Sequence, residues 1–227
     1  MAPAPMFEAE AARLCDMLLA QGKVSPLLNL GSSTGAFRKG AKPHIEARLF
    51  APLRAAGIAV THCDLKAGEG VDIAGDILDP AVRDRLKAMG FKAVLAANLL
   101  EHVRDRAAVI AACEEIAGPG GLILATVPSS APYHADPIDT FYRPTPAELA
   151  AAFGRSRTLL AETVTGPTYA ERISAEDSSL WREIGRTALY TLLAFARPNS
   201  ARARWSRWRW YRRPQRVSIA LVEVNAS

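Results

Sequence analysis

Between residues 26 and 127 the chain alternates short, wholly apolar segments with longer amphipathic ones, and this alternation limits the fold more than any other feature. The apolar segments are residues 26–30, 58–63, 71–74, 91–97 and 122–127. Strands that are apolar on both faces and are separated by helical segments are typical of a parallel sheet covered by helices on both sides. The sequence therefore predicts an α/β fold with a doubly wound sheet.

Helices are predicted where apolar residues recur every three or four positions, over residues 7–21, 43–56, 80–89 and 105–117. With 227 residues, 49% of them hydrophobic, the chain can bury one sizeable core, which excludes a disordered chain. After residue 127 the pattern changes, and no internal repeat is present, so we expect a single domain over 1–227. Its later parts are a proline-rich loop over 128–146, a helix over 145–153, a strand near 158–164, an insert over 166–216 and a last apolar strand over 217–224.

A glycine- and serine-rich turn, residues 31–35, directly follows the first predicted strand. Ligands of open parallel sheets bind outside the carboxyl ends of the strands, and such a turn lets a ligand approach the backbone closely, although it can also be a plain connection. Asp64 follows the second predicted strand directly, 33 residues after Gly31, and a carboxylate at that place can accept hydrogen bonds from both hydroxyls of a ribose. The dinucleotide fingerprint places this acid about 20 residues on and requires GxGxxG, so that match is poor. No GxxxxGK[ST] is present, which excludes a P-loop.

Five segments, taken in order, resemble the motifs of the class I S-adenosylmethionine-dependent methyltransferases, and of their small-molecule, methyltransferase type 11-like members. They are LLNLGSSTGAF, THCDL, VDIAGDILD, AVLAANLLEHVRD and PGGLILATVP, and the resemblance covers about residues 24–155. The resemblance implies a Rossmann-like, mostly parallel seven-stranded sheet with an antiparallel last strand. It also implies S-adenosyl-L-methionine as the cofactor.

The resemblance assigns a role to each motif position. The family's first motif is an acid followed by glycines at alternate positions; here Asn29, Gly31, Ser33 and Gly35 stand there, so the acid is an amide and the middle glycine a serine. Each of the later acids also has a local alternative as a turn or cap residue. The resemblance implies that Asp64 binds the ribose and that Leu65 packs against the adenine. It implies that Asp76 and Ile77 recognise the amino group of the adenine. Asn98 and Leu99 would face the methionine part and the methyl group.

Methyl transfer from a sulfonium requires alignment of the acceptor and exclusion of water, because the cofactor supplies the reactivity. It requires no metal, and the sequence offers no metal-ligand pattern. An acceptor hydroxyl would need a base with a pKa near 7. The candidates are His102 and His134, both at the carboxyl end of the predicted sheet, although Glu101 and His102 could simply begin the next helix.

The segment PYHADPIDTFYRPTPAEL places many polar and aromatic residues on one predicted loop. It resembles a substrate-side loop of family members associated with polysaccharide and glycolipid synthesis, and loops at this edge commonly carry specificity. The alternative is a proline-stiffened loop held by its own Asp–Arg and tyrosine hydrogen bonds. The predicted acceptor-binding residues are Tyr133, His134, Asp139, Tyr142 and Arg143.

The net charge of +5 is concentrated in one segment. Residues 197–216 hold eight arginines, three of the four tryptophans and no acid, whereas the rest of the chain holds 20 basic and 23 acidic side chains, a net of −3. Together with an apolar helix predicted over 180–196, the composition of Arg202–Arg216 is typical of a peripheral membrane contact. Two alternatives stay open. One is contact with single-stranded nucleic acid or with a protein partner, and the other is an arm whose tryptophans pack on the core while the arginine heads reach solvent.

Three widely spaced cysteines with no CxxC fit free thiols in a reducing compartment. No run of about 18 apolar residues predicts a membrane span, and the N-terminal segment lacks the basic region of a secretory signal. We therefore expect a cytoplasmic protein, with any membrane contact at the inner face of the membrane.

The sequence thus predicts a methyltransferase that acts on a hydroxyl of a small molecule or of a sugar, including a lipid-linked one. Asn29 and Ser33 suggest a non-catalytic cofactor-binding protein of the same fold as one alternative. A nicotinamide oxidoreductase is disfavoured by the turn and by the Asp64 spacing. A nucleic-acid methyltransferase is disfavoured because Asn98-Leu-Leu-Glu101 stands where an Asn/Asp-Pro-Pro-Tyr motif is expected, so nucleic acid is not the favoured partner.

Overall fold

The computed structural model describes residues 6–132, 138–175, 179–196 and 208–226, together with positions 198, 201, 202 and 205. Its strands are β1 Leu27–Leu30, β2 Val60–Asp64, β3 Ile73–Ala74, β4 Ala93–Ala97, β5 Leu122–Ser130, β6 Ser156–Thr165 and β7 Arg216–Val224. They form one seven-stranded sheet in the order β3-β2-β1-β4-β5-β7-β6. β1 to β5 are parallel, and β7 lies between β5 and β6, antiparallel to both. The predicted doubly wound, mostly parallel sheet with an antiparallel last strand is confirmed.

The helices occupy the predicted places with small shifts. They are α1 Glu8–Gln21, α2 Pro43–Ile45, α3 Ala51–Ala55, α4 Pro80–Ala88, α5 Arg106–Ala117, α6 Pro146–Ala151, α7 Tyr169–Ala175 and α8 Leu180–Leu192. The helix predicted over 43–56 is irregular, because a π-helical turn, Glu46–Phe50, separates α2 from α3. A further π-helical turn, Phe37–Ala41, precedes α2. Pro43 lacks the N–H that would continue a regular ladder, and the amide of Lys42 donates instead to the carbonyl of Phe37, at 2.8 Å.

Two apolar clusters, one on each face of the sheet, form the core. The first joins the sheet to α4, α5 and α6 through residues such as Leu86, Ile110 and Leu149. The second joins it to α1 and to the helical segment before β2, through residues such as Leu14 and Phe50. Both faces of β1 are therefore covered, as expected for a strand that is apolar throughout, and its carboxyl end opens onto the edge where a ligand would lie.

β5 is longer than predicted, because it extends beyond residue 127 to Ser130. Pro128 and Ser130 still pair with β7, across a local shift of register. A proline is tolerated at such an irregularity because it removes only one ladder hydrogen bond. The proline-rich loop therefore begins after Ser130 and not at 128.

The cysteines Cys15, Cys63 and Cys113 are all buried free thiols, as predicted. Among the helices that the structure describes, none combines the length and the hydropathy needed to cross a membrane.

Candidate functional site

The turn after β1 has the backbone conformation that a glycine-rich motif requires. Gly31 has a φ of 68° and Ser33 a φ of 54°, both in the left-handed region that side chains disfavour. A Cβ added at Gly31 would lie 2.9 Å from Cδ1 of Leu99, so a larger residue there would have to displace the tip of the Leu99 side chain. Ser33 stands where the family motif has its middle glycine, and its positive φ explains why glycine is favoured at that place. Ser33 adopts the left-handed conformation at a cost in free energy.

Asp64 lies beside this turn, at the end of β2. Its Oδ2 accepts a hydrogen bond from the amide of Ser33 at 2.7 Å, and its Oδ1 accepts one from the amide of Lys66 at 3.0 Å. The next residue, Leu65, exposes 68% of its surface. The edge of the sheet therefore presents a fixed carboxylate next to an exposed apolar side chain, which suits a ligand with hydroxyl groups on one part and an aromatic ring on another.

A second loop, residues 66–70, packs against the glycine turn. The amide of Gly35 donates to the carbonyl of Glu69 at 2.7 Å, so Gly35 allows the close approach of two loops. The buried guanidinium of Arg38 connects both loops, and its burial lowers its pKa. It donates at 2.8, 2.6 and 2.6 Å to the carbonyl oxygens of Ser32, Ser33 and Gly70.

Asn29 is buried within β1 and contacts its register partner in β2, His62. Nδ2 of Asn29 and Nδ1 of His62 are 3.0 Å apart. Burial, with the positive charge of Arg38 nearby, lowers the pKa of His62 to about 4, so the ring is neutral at pH 7 and can accept from the amide. A neutral amide next to a neutral imidazole explains why an amide is stable where the family motif has an acid.

The segment after β3 carries the predicted adenine-reading residues. Asp76 is exposed, and its Oδ1 accepts a hydrogen bond from the amide of Leu78 at 2.9 Å. Ile77 is buried in the core, so any contact that it makes with a ligand would come from its backbone. The amide of Gly75 donates to the carbonyl of Asp64, at 2.9 Å, which ties this segment to the end of β2.

A buried carboxyl group that the sequence analysis missed lies under the end of β4. Oε1 of Glu10, in α1, accepts hydrogen bonds from Nδ2 of Asn98 and from Oγ1 of Thr126, both at 2.8 Å. Asn98 has a left-handed φ of 51°, and its backbone N–H donates to the carbonyl of Thr126 at 2.9 Å. Burial raises the pKa of Glu10 from 4.5 to about 7. The signal in the sequence is that Glu10 falls on the apolar stripe of α1.

The turn Leu100–His102 after β4 holds the predicted base. Nδ1 of His102 donates to the carbonyl of Ile138, which leaves Nε2 as the ring nitrogen that can take up a proton. The amide of Thr140 donates to the carbonyl of Glu101 at 2.9 Å, so the predicted substrate-side loop packs directly on this turn. Burial raises the pKa of Glu101 to about 8, and Nε2 of His102 lies 3.7 Å from Oε1 of that side chain.

The structure pairs two of the predicted acceptor-binding residues with each other. Arg143 forms a two-pronged ion pair with the buried carboxylate of Asp139, at 3.0 and 2.6 Å. The ring of Tyr142 packs under the guanidinium of Arg106, 4.6 Å from its centre, and burial raises the pKa of this tyrosine. These contacts shape the loop, and a role in binding an acceptor stays a prediction. The other two residues, Tyr133 and His134, lie outside the described residues.

The structure places most of the predicted cofactor residues at one edge of the sheet, at the carboxyl ends of β1, β2, β3 and β4. It joins Ser33 to Asp64 by a hydrogen bond and Gly31 to Leu99 by packing. Asn29 is the exception, because its amide is directed at His62 inside the sheet. Within the described ranges, no three His, Cys, Asp or Glu side chains are grouped so that they could hold a metal ion.

Solved structures of other proteins share this architecture over almost the whole chain. The N-methyltransferase NodS of Bradyrhizobium japonicum, in complex with S-adenosyl-L-homocysteine, is 12% identical with a TM-score of 0.50, covering 95% of this chain and 86% of that one. The 1,6-didemethyltoxoflavin-N1-methyltransferase of Burkholderia thailandensis, with 1,6-didemethyltoxoflavin and S-adenosylhomocysteine bound, is 13% identical with a TM-score of 0.53, covering 96% of this chain and 78% of that one. The [4+2]-cyclase SpnF is 16% identical with a TM-score of 0.55, covering 95% and 82%.

No protein-family model and no curated protein matches the sequence. The structural matches include a cyclase as well as methyltransferases, so the shared fold does not by itself determine the reaction. The predicted Rossmann-like sheet is confirmed by these matches. The chain has the fold of the class I S-adenosylmethionine-dependent methyltransferases.

Proposed function

We propose that this protein is an S-adenosylmethionine-dependent methyltransferase. The observation that carries the proposal is the edge formed by β1 and β2, where the left-handed turn at Gly31 and Ser33 is hydrogen-bonded to the carboxylate of Asp64. In a sheet of this order, the edge is where a ligand binds. Two solved structures of the same fold hold S-adenosylhomocysteine, which supports the same ligand class here.

The residues at this edge fit the cofactor's three parts. The Asp64 carboxylate is an acceptor for ribose hydroxyls, and the exposed Leu65 offers an apolar face to the adenine. Oε2 of Glu10 and Oδ1 of Asn98 are buried acceptor atoms without a hydrogen-bond partner among the described residues. A ligand that carries N–H donors, such as the α-ammonium group of the methionine part, would satisfy acceptors at this place.

When bound, S-adenosylmethionine supplies a sulfonium-activated methyl group that can be displaced in line. The chain's own task is then to orient the acceptor, exclude water and move one proton. Because the Nδ1 proton of His102 is held by the carbonyl of Ile138, Nε2 can take the proton of an acceptor hydroxyl. The loop that packs on this turn through Thr140 would shield the reacting atoms from water.

The acceptor that we propose is a hydroxyl of a small molecule or of a sugar, including a lipid-linked one. The support is the candidate base His102 and the likeness of the segment PYHADPIDTFYRPTPAEL to substrate-side loops of family members associated with polysaccharide and glycolipid synthesis. Contact of Arg202–Arg216 with an anionic membrane surface belongs to the same proposal, since it would bring a lipid-linked acceptor to the protein.

Calorimetric titration with S-adenosylmethionine, S-adenosylhomocysteine and NAD tests the cofactor. We expect binding of the first two and none of NAD. Asp64→Ala should weaken binding about 100-fold, since it removes two charge-assisted hydrogen bonds to the ribose. The matched control is Asp84→Ala, which removes an exposed acid from α4, away from the edge. Absence of binding at millimolar cofactor, or equal affinity of the Asp64 and Asp84 variants, would contradict the proposal.

A further inference from the structure

Helix α8 directs polar side chains toward the protein. Glu183 and Thr187, one turn apart, are both buried. Glu183 accepts a hydrogen bond from the hydroxyl of Tyr169 at 2.8 Å, and Oγ1 of Thr187 accepts one from the indole of Trp208 at 3.0 Å. Thr191, a further turn along, is exposed, and its Oγ1 accepts a hydrogen bond from the indole of Trp205 at 3.0 Å. An ordinary surface helix has the opposite arrangement, with its apolar stripe on the core.

The outer side of this segment is apolar and open to solvent. Trp181, Leu192 and Phe195 are 78%, 76% and 90% exposed. We call the group the α8 apolar face; its members are Trp181, Ile184, Leu189, Leu192, Leu193 and Phe195. A contiguous surface of large apolar side chains on a protein marks a place where something else binds.

The segment that follows this face in the sequence is strongly basic. This segment, residues 197–216, holds eight arginines and no acid. An apolar surface flanked by arginines and tryptophans is complementary to lipid headgroups that carry negative charge, with the apolar side chains reaching into the acyl boundary.

The dimensions of α8 favour a helix that lies along the surface. Its 13 residues extend about 20 Å, less than the roughly 30 Å of a bilayer's hydrocarbon core. A second copy of the chain is disfavoured as the occupant, because a symmetric contact would bring two arginine-rich segments together. The negative charge that complements the arginines must therefore belong to a partner other than a second copy of this chain.

We propose that the α8 apolar face docks the protein in the headgroup region of a membrane that contains anionic lipid, with α8 parallel to the surface. The arginines supply long-range attraction, and the apolar side chains supply the insertion. This proposal extends the membrane contact of Arg202–Arg216 proposed above and rests on that part of the proposed function. It does not depend on methyl transfer, so the full chain can be tested without cofactor or acceptor.

The test is sedimentation with phosphatidylcholine vesicles that either contain or lack phosphatidylglycerol, at low and at high salt. We expect binding only to the anionic vesicles, with a blue shift of tryptophan fluorescence. Replacing Trp181, Leu192 and Phe195 together by serine should abolish binding. The matched control replaces Leu19 and Met89, exposed apolar residues elsewhere on the protein, by serine and should bind like the wild type.

The arginine contribution is tested by Arg212→Ser with Arg213→Ser, which should lower the partition coefficient roughly 10- to 30-fold at low salt and less at high salt. Because the α8 apolar face is exposed, its serine variant should keep the wild-type circular dichroism and thermal midpoint. Absence of vesicle binding by the wild type, or equal binding by the serine variant, would overturn the proposal. So would a wild-type dimer in sedimentation velocity that the serine variant dissolves, since the face would then bind a second copy.

Discussion

Replacing Glu10 by glutamine should remove a large pH dependence from the stability of the protein. The carboxyl group is fully buried between α1, the end of β4 and the middle of β5, and burial raises its pKa from 4.5 to about 7. A group whose pKa is higher in the folded state favours folding while it is protonated. Its contribution is complete below pH 4.5 and is lost as the pH rises through about 7.

The magnitude follows from the difference between the two pKa values. Each pKa unit corresponds to about 1.4 kcal/mol, so the ionised carboxyl costs the folded state about 3 kcal/mol above pH 7. Glutamine keeps an oxygen that can accept from Asn98 and Thr126 but carries no charge at any pH. The free energy of unfolding of Glu10→Gln, minus that of the wild type, should therefore rise by about 2 to 3 kcal/mol between pH 5 and pH 9.

Urea unfolding of both proteins across this pH range measures the difference. The control is Glu8→Gln, which changes the other acid in the first turn of α1, an exposed one paired with Arg48. The free energy of unfolding of Glu8→Gln, minus that of the wild type, should vary by less than about 0.5 kcal/mol between pH 5 and pH 9. A flat difference for Glu10→Gln would refute the reasoning, because it would mean that the carboxyl is solvated or fully compensated in the folded state.

Three further predictions concern the edge of the sheet. Ser33→Gly should stabilise the protein by about 0.5 to 1 kcal/mol in urea unfolding, because it relieves a left-handed φ; a loss of stability would contradict this. Arg38→Met should lower the free energy of unfolding by about 2 to 3 kcal/mol and weaken cofactor binding, because three carbonyl oxygens lose their hydrogen-bond donor. The control Arg48→Met, at an exposed ion pair, should lower it by less than about 1 kcal/mol. His102→Gln should lower kcat for a hydroxyl acceptor about 100-fold while the affinity for S-adenosylhomocysteine stays unchanged, and an unchanged kcat would exclude this histidine as the base.

The fold could be predicted from the sequence because its strands are apolar throughout and its helices amphipathic. These are local patterns, and each lies within one element. The end of β5 could not be predicted, because Pro128 and Ser130 remain in the sheet only by pairing with β7, about ninety residues further along the chain. Likewise, the composition of residues 180–196 predicted an apolar helix, but it did not predict that Glu183 and Thr187 are the buried side chains of α8.

The site could be predicted where its residues form a short motif after a strand. Gly31 and Asp64 belong to such motifs, and the structure joins the two segments through the Ser33 amide. Glu10 was missed because its partner Thr126 is 116 positions away. Arg38 was missed because one arginine at the start of a helix has no distinctive pattern, and its three acceptors come together only in the folded chain.

The central claim, that S-adenosylmethionine binds at the turn after β1, is tested most directly by comparing two glycine substitutions. Gly31 and Gly57 both have left-handed φ values, 68° and 80°, so alanine should strain the backbone at either position by about 1 kcal/mol. A Cβ at Gly31 would meet Leu99 at 2.9 Å, whereas a Cβ at Gly57 would have no atom within 4 Å.

The measurement is calorimetric titration of S-adenosylhomocysteine into the wild type, Gly31→Ala and Gly57→Ala. We predict one site per chain in the wild type and in Gly57→Ala, with equal affinity, and a loss of binding in Gly31→Ala while its circular dichroism is unchanged. Equal affinity of all three proteins, or no binding to the wild type, would contradict the account.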